Sequence, residues 1–210
     1  MFDSHSALFS RPGTLEVICG CMFSGKTEEL IKQIRLAEIA KLRYQVFKPV
    51  VDNRYDNDAV ASHDKSKSPA INVSKASEIL NHVERHTEVV GIDEAQFFDE
   101  LIVEVAEKLA DDGKRVVVAG LDTDWRGEPF GPMPRMIAKA DIVRKQYAVC
   151  MVCGAPATRT QRIVSADEQF LLGSTDSYEA RCRKHFDPTL SLRMQKNLPK
   201  ETVSSTPVTP

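Results

Sequence analysis

Four short apolar runs, LEVIC (15–19), YQVFK (44–48), EVVGID (88–93) and RVVVAGLD (115–122), are rich in Val and Ile and bounded by turn formers or charges. Runs of this length without strict alternation are the pattern of parallel strands buried on both faces. Between them the period changes. EELIKQIRLAEIAK (28–41) reads as a helix, and Leu101, Ile102, Val105, Ala106 and Leu109 form an i, i+4, i+8 stripe with Asp99 as its N-cap and Gly113 near its C-cap. Strand, helix, strand repeated in this way predicts an α/β core with a mainly parallel sheet spanning residues 14–148.

The remainder of the chain changes character. Residues 1–13 read as a flexible leader, while NLPKETVSSTPVTP, from Asn197, is polar, Pro-rich and aperiodic, so 191–210 reads as a disordered tail. The total of 210 residues holds one core of about 150 residues and a small appendage, here 149–190. A formal net charge of −2 supplies no basic field for a polyanion, so nucleic acid is not an expected partner. No apolar stretch reaches the ~18 residues of a membrane span, and the start MFDSHSALFSRPG lacks a basic n-region followed by an apolar core. The expected compartment is the cytoplasm, with no membrane contact. Five cysteines, unevenly placed, argue for metal ligation rather than a disulfide framework.

Three motifs carry chemistry. GCMFSGKT (20–27) satisfies G-x-x-x-x-G-K-[ST] between a strand and a helix, the context that pattern needs. Gly20, Cys21, Met22, Phe23, Ser24, Gly25, Lys26 and Thr27 would then cradle phosphates, with backbone N–H groups and the helix N-terminus around them. Lys26 would lie on β- and γ-oxygens and the Thr27 hydroxyl on Mg²⁺. VVGIDEAQFF (89–98) ends an apolar strand in Asp93 and Glu94, on the side of an open sheet where ligands bind. Asp93 suits Mg²⁺; Glu94 suits either orienting a water or taking a proton from an acceptor hydroxyl, so the letters fit an ATPase as well as a kinase. CMVC (150–153) and CRKH (182–185) offer Cys150, Cys153, Cys182 and His185, a closed four-ligand set for one structural Zn²⁺. The segment between the pairs, IVSADEQFLLGSTDSYEA, carries Phe170 and Tyr178 and reads as a lid able to bury a base and exclude water.

GCMFSGKT, DEAQFF, AGLDTDWRGEPFG (119–131), CMVC and STDSYEARCRKHF together resemble the thymidine kinases of the type shared by bacteria and the animal cytosol, over residues 14 to about 187. The resemblance implies a P-loop NTPase core with a small zinc-ribbon-like domain and a lasso lid. It further implies transfer of the γ-phosphate of ATP, with Mg²⁺, to the 5′-hydroxyl of thymidine or deoxyuridine in nucleotide salvage, a homotetramer, and feedback inhibition by dTTP. By the same resemblance Glu94 is the base for the 5′-hydroxyl. Arg54 and Gln96 lie on the nucleotide side, and Asp52 joins Thr27 and Asp93 near the magnesium. Met22, Leu121, Trp125, Phe130, Thr160, Phe170 and Tyr178 would surround the pyrimidine. Two positions depart from the animal pattern: His185 replaces a cysteine as the last zinc ligand, and Trp125 stands where phenylalanine is common, which bears on the room left for 5-substituents.

Overall fold

The structure, a computed structural model, describes residues 13–50, 70–164 and 176–190. Most of the expected leader, the expected tail, Asp52, Arg54, Phe170 and most of the expected lid lie outside the described residues.

The elements run β1 (Thr14–Cys19), α1 (Lys26–Ile39), β2 (Tyr44–Pro49), β3 (Ala70–Val73), α2 (Ala76–His82), β4 (Val89–Ile92), α3 (Leu101–Asp111), β5 (Arg115–Gly120), α4 (Met133–Lys139) and β6 (Ile142–Lys145). Six strands form one sheet in the order β3-β2-β4-β5-β1-β6. Every pairing in it is parallel. Side chains alternate across the sheet. Leu15, Val17, Phe47, Val90, Ile92, Val116 and Val118 pack with α2, α3 and α4 on one face, whereas Ile18, Val46, Val117 and Ala119 pack with Leu30, Ile34 and Ala37 of α1 on the other. A sheet covered on both faces explains why its central strands read as unbroken apolar runs.

Of the apolar stripe expected on α3, Ile102, Val105, Ala106 and Leu109 are buried, whereas Leu101 in the first turn is exposed and Val103 is buried beside the stripe. Asp99 accepts the N–H of Leu101 at 3.0 Å, but the N-cap falls one residue later than expected, at Glu100; the positive φ of Gly113 (85°) turns the chain out of the helix. The strand read over 115–122 ends at Gly120, because Leu121 and Asp122 leave the sheet for the site described below. β3, α2, α4 and β6 are short, and β6 exposes all four of its side chains, so none has a period long enough to read.

One acid breaks the apolar pattern of β1. Glu16 is buried between Arg115 on β5, at 3.0 Å, and Arg144 on β6, and Arg115 also donates to Gln33 of α1. The two guanidinium groups compensate the buried carboxylate and tie the edge strand to the sheet.

Beyond β6 the chain forms two small antiparallel sheets, β7 (Ala148–Val149) with β8 (Pro156–Ala157), and β9 (Arg159–Arg162) with β10 (Tyr178–Arg181). No helix among the described residues is long and apolar enough to cross a membrane.

Candidate active site

Parallel register brings the strand ends together. Cys19 of β1 pairs with Gly120 of β5, and Ile92 of β4 pairs with Val118. The chain therefore leaves β1, β4 and β5 at one edge of the sheet, and the loops that begin at Gly20, Asp93 and Leu121 start there.

The loop after β1 is shaped by glycine. Gly20 has φ 146°, and a Cβ there would meet the carbonyl oxygen of Gln146 at 2.6 Å; Gly25 has φ 79° and opens α1. Only glycine adopts the first conformation freely, and the turn leaves the first N–H groups of α1 directed into the loop. The Ser24 hydroxyl and the Lys26 ammonium both donate to the Cys21 carbonyl, each at 2.8 Å. Burial lowers the Lys26 pKa, opposed by Glu94, Cys21, Asp93 and Asp122 around it. A buried cation beside a glycine-shaped loop that opens a helix is an arrangement for a polyphosphate.

Asp93 and Glu94 follow β4 directly. Burial, then the neighbouring Glu94 charge, push Asp93 up to about 6, against the Glu94 N–H, Lys48 and Thr27, which favour its ionised form. The Thr27 hydroxyl lies 3.3 Å from Asp93 Oδ2. That is a long hydrogen bond, and the two oxygens are close enough to serve as neighbouring ligands of one octahedral Mg²⁺. The hard oxygen pair fits that ion.

Glu94 occupies the left-handed region (φ 52°, ψ 40°), a conformation costing a non-glycine residue about 1–2 kcal/mol. Its neighbours hold it there. Its N–H donates to Asp93 Oδ1 at 3.0 Å, its carbonyl accepts the N–H of Phe97, and Gln96 Nε2 donates to Glu94 Oε2 at 2.6 Å. Gln96 Oε1 in turn accepts the N–H of Leu121 at 2.9 Å. A hydrogen-bonded arm thus links the acid after β4 to the loop after β5.

That loop borders a cleft. Met22, Leu121, Thr123, Asp124, Trp125, Phe130, Thr160 and Tyr178 line it. Phe130 packs edge-on against Phe97 with ring centroids 5.6 Å apart. Met22 belongs to both halves of the site, since its N–H donates to Thr160 Oγ1 at 3.0 Å and its side chain meets the cleft. The buried Thr123 hydroxyl has no hydrogen-bond partner among the described residues, the kind of group a polar ligand edge satisfies.

Cys150, Cys153, Cys182 and His185 also converge, their ligand atoms all within 4.8 Å of one another. Cys150 Sγ to His185 Nδ1 and Cys153 Sγ to Cys182 Sγ are each 3.8 Å, and Cys182 Sγ to His185 Nδ1 is 3.3 Å. A tetrahedral Zn²⁺ with Zn–S of 2.3 Å and Zn–N near 2.05 Å gives edges of about 3.5–3.8 Å, so the residues fit that ion. At Cys150 burial opposes ionisation, but backbone N–H groups of Cys182, Val152 and Cys153 and the His185 ring outweigh it and hold the thiol down to about 5. Both turns are knuckles closed by backbone bonds, Gly154 N–H to the Cys150 carbonyl and His185 N–H to the Cys182 carbonyl.

Residues 13–186 match the profile of the family described as thymidine kinase. The chain belongs to the thymidine kinase family. A curated relative, the thymidine kinase of Bdellovibrio bacteriovorus, is 56% identical over 176 residues, covering 84% of this chain and 86% of the relative.

For a thymidine kinase of this kind the expected pyrimidine residues Met22, Leu121, Trp125, Phe130, Thr160 and Tyr178 meet at one cleft, which Phe170, outside the described residues, does not test. Gln96 lies at the hinge between the acidic turn and that cleft. Sequence reading missed Thr123 and Asp124, although both lie inside the quoted LDTDW stretch. It also missed Asp122, buried and paired with Lys145 at 2.6 Å, and Arg162, which is fully buried behind the cleft. In the sequence Arg162 is one letter of TRTQR (158–162), with nothing local to set it apart.

Proposed function

We infer that the protein transfers the γ-phosphoryl group of ATP to the 5′-hydroxyl of thymidine, or of deoxyuridine, in nucleotide salvage. The observation that carries this reading is the arm Glu94–Gln96–Leu121, which joins an acid beside the phosphate loop to the aromatic cleft. A hydrolase needs no such cleft next to its acid. Glu94 takes the 5′-hydroxyl proton, the nucleoside O5′ forms a bond to the γ-phosphorus, and the bond from that phosphorus to the bridging oxygen breaks, leaving ADP. Lys26 neutralises charge on the transferring group, and the N–H groups of Gly20 to Thr27 hold the phosphates. Arg54 is assigned to the same phosphates. Thr27 and Asp93, to which the family resemblance adds Asp52, would hold Mg²⁺, which would neutralise charge on the phosphates. Met22, Leu121, Trp125, Phe130, Thr160 and Tyr178 would line the pyrimidine site, to which the family resemblance adds Phe170, and Cys150, Cys153, Cys182 and His185 would hold a Zn²⁺ that staples the hairpins carrying Thr160 and Tyr178.

Inhibition by dTTP belongs to the same reading, supported by the contact of Met22 with both halves of the site. So does a homotetramer. Ile142, Val143, Tyr147, Val149, Met151 and Val152 are exposed along β6 and β7, an apolar strip suited to burial against another copy. Cytoplasmic residence completes the proposal. The decisive assay measures ADP release from ATP with and without thymidine, together with the nucleotide formed. Thymidine-dependent ADP release matched by dTMP is the expected result; nucleoside-independent hydrolysis at a similar rate refutes it.

A further inference from the structure

Arg162 ends β9 and stands directly opposite Tyr178 in the β9–β10 register. It is 0% exposed, the largest fully buried side chain among the described residues. Its Nη2 donates to the Tyr178 hydroxyl at 2.7 Å, and its Cζ lies 5.3 Å from the Tyr178 ring and 4.4 Å from the Trp125 ring. Arg126 reaches the same indole, at 4.8 Å. Arginine has no acceptor, so the phenolic oxygen must accept, and Tyr178 is held by its oxygen as well as by its ring. Trp125 sits on the loop after β5, Tyr178 on the hairpin that leads to Cys182, and both line the cleft.

A cation buried this deeply is retained only where its surroundings compensate it. Two aromatic faces and a phenol contribute to that, in a geometry that suits a flat guanidinium and not a compact ammonium. Arg162 itself is absent from the cleft lining, so whatever it does for a ligand it does through Trp125 and Tyr178.

We propose that Arg162 is a positioning residue for the nucleoside base: its guanidinium ties Tyr178 of the metal-bearing hairpin to Trp125 of the sheet-edge loop and so sets the width of the aromatic cleft. This rests on the thymidine reading above. It adds that pyrimidine affinity depends on a residue that never meets the pyrimidine. A purely structural role predicts a general loss of stability with both substrates affected alike. A positioning role predicts a split.

The chain has a single tryptophan, so its intrinsic emission reports Trp125 alone. In Arg162→Lys, which keeps the charge and loses the plane, the emission of nucleoside-free protein shifts. The KM for thymidine rises about tenfold or more while the KM for ATP stays within about twofold. Arg162→Met, which also loses the charge, is more severe in the same direction. Unchanged Trp125 emission, or equal changes in the two KM values, overturns the proposal. Should Arg162→Lys fail to fold, Tyr178→Phe removes only the hydroxyl that Arg162 binds, and a wild-type KM for thymidine in that variant overturns the proposal as well. The emission measurement needs no nucleoside, so wild-type protein that phosphorylates none would refute the functional reading and leave the contact itself decided by its own result.

Discussion

Glu94→Gln separates proton acceptance from shape at the centre of the site. The wild-type carboxylate is fixed by three neighbours: Asp93 Oδ1 on its N–H, Phe97 N–H on its carbonyl, and Gln96 Nε2 on Oε2 at 2.6 Å. A glutamine keeps every one of these, since its amide oxygen accepts from Gln96 as the carboxylate does and its backbone is unchanged. The left-handed backbone, which costs about 1–2 kcal/mol, is therefore retained in both proteins and cancels from the comparison. Only basicity is lost. General-base catalysis contributes roughly 10²- to 10⁴-fold, which at 1.36 kcal/mol per tenfold is a barrier increase of about 2.7–5.4 kcal/mol. The kcat for thymidine phosphorylation should fall by that factor while the KM for thymidine moves by less than about threefold. The assay is steady-state ADP release with dTMP quantified in parallel, and far-ultraviolet circular dichroism to confirm the fold. A variant retaining more than about a tenth of wild-type kcat would refute Glu94 as the base, because no general-base term that small would be worth positioning so closely.

Lys26→Ala should abolish transfer, by about 10²-fold or more, with little change in melting temperature, because the side chain makes one hydrogen bond within its own loop and packs in no core cluster; retention of a tenth of wild-type kcat sinks the assignment. Metal analysis should find one zinc per chain, lost in Cys150→Ser with Cys182→Ser. Since Thr160 on the metal-bearing hairpins binds the Met22 N–H, metal loss should raise the KM for thymidine before the sheet unfolds, and zinc near zero in protein prepared without chelator refutes the site. Asp93 is raised to about 6, so the proton is bound, and the Mg²⁺ ligand neutral, below that value. Mg²⁺ affinity should fall roughly tenfold per pH unit below 6 and level off above it, and a flat magnesium dependence between pH 5 and 7 would contradict the assignment. In the metal-free protein the sign is the reverse. The buried carboxylate is disfavoured when ionised, so this group's penalty is present above about pH 6 and disappears as the pH falls toward its ordinary value of 3.8.

What was legible and what was not divides along a physical line. β1, β4 and β5 are central strands covered on both faces, so burial favoured apolar residues, Val and Ile foremost, at most of their positions and the runs could be read directly. The stripe of α3 is equally plain, because one face of that helix meets the sheet. The phosphate loop was legible for another reason: its backbone demands glycine at φ 146° and φ 79°, and glycine is a letter one can see. β6 carries no such signature. It is an edge strand held by Arg144 on the buried Glu16, and a parallel edge with exposed side chains has no apolar period.

Arg162 shows the deeper limit. In the sequence it stands two residues after Thr160 within TRTQR, and composition assigns such letters to a solvated basic surface. Whether an arginine is on the surface or in the core depends on what lies across the sheet and beyond it, and here that is Tyr178, sixteen positions later, and Trp125, on a loop from another strand. Neither distance is local, and no periodicity encodes either. Motif residues that touch a ligand are constrained in identity by the ligand's chemistry and so can be recognised one by one. A residue that orients them is constrained only by their positions in space, and becomes visible once the register of β9 and β10 has set Arg162 against Tyr178. The same holds for Gln96, whose amide is useful because Leu121 leaves β5 beside it. The parts of this site that hold the reacting groups still are therefore the parts that the chain conceals until it folds, and substitutions at Arg162 should be felt in thymidine binding as strongly as substitutions at the cleft wall itself.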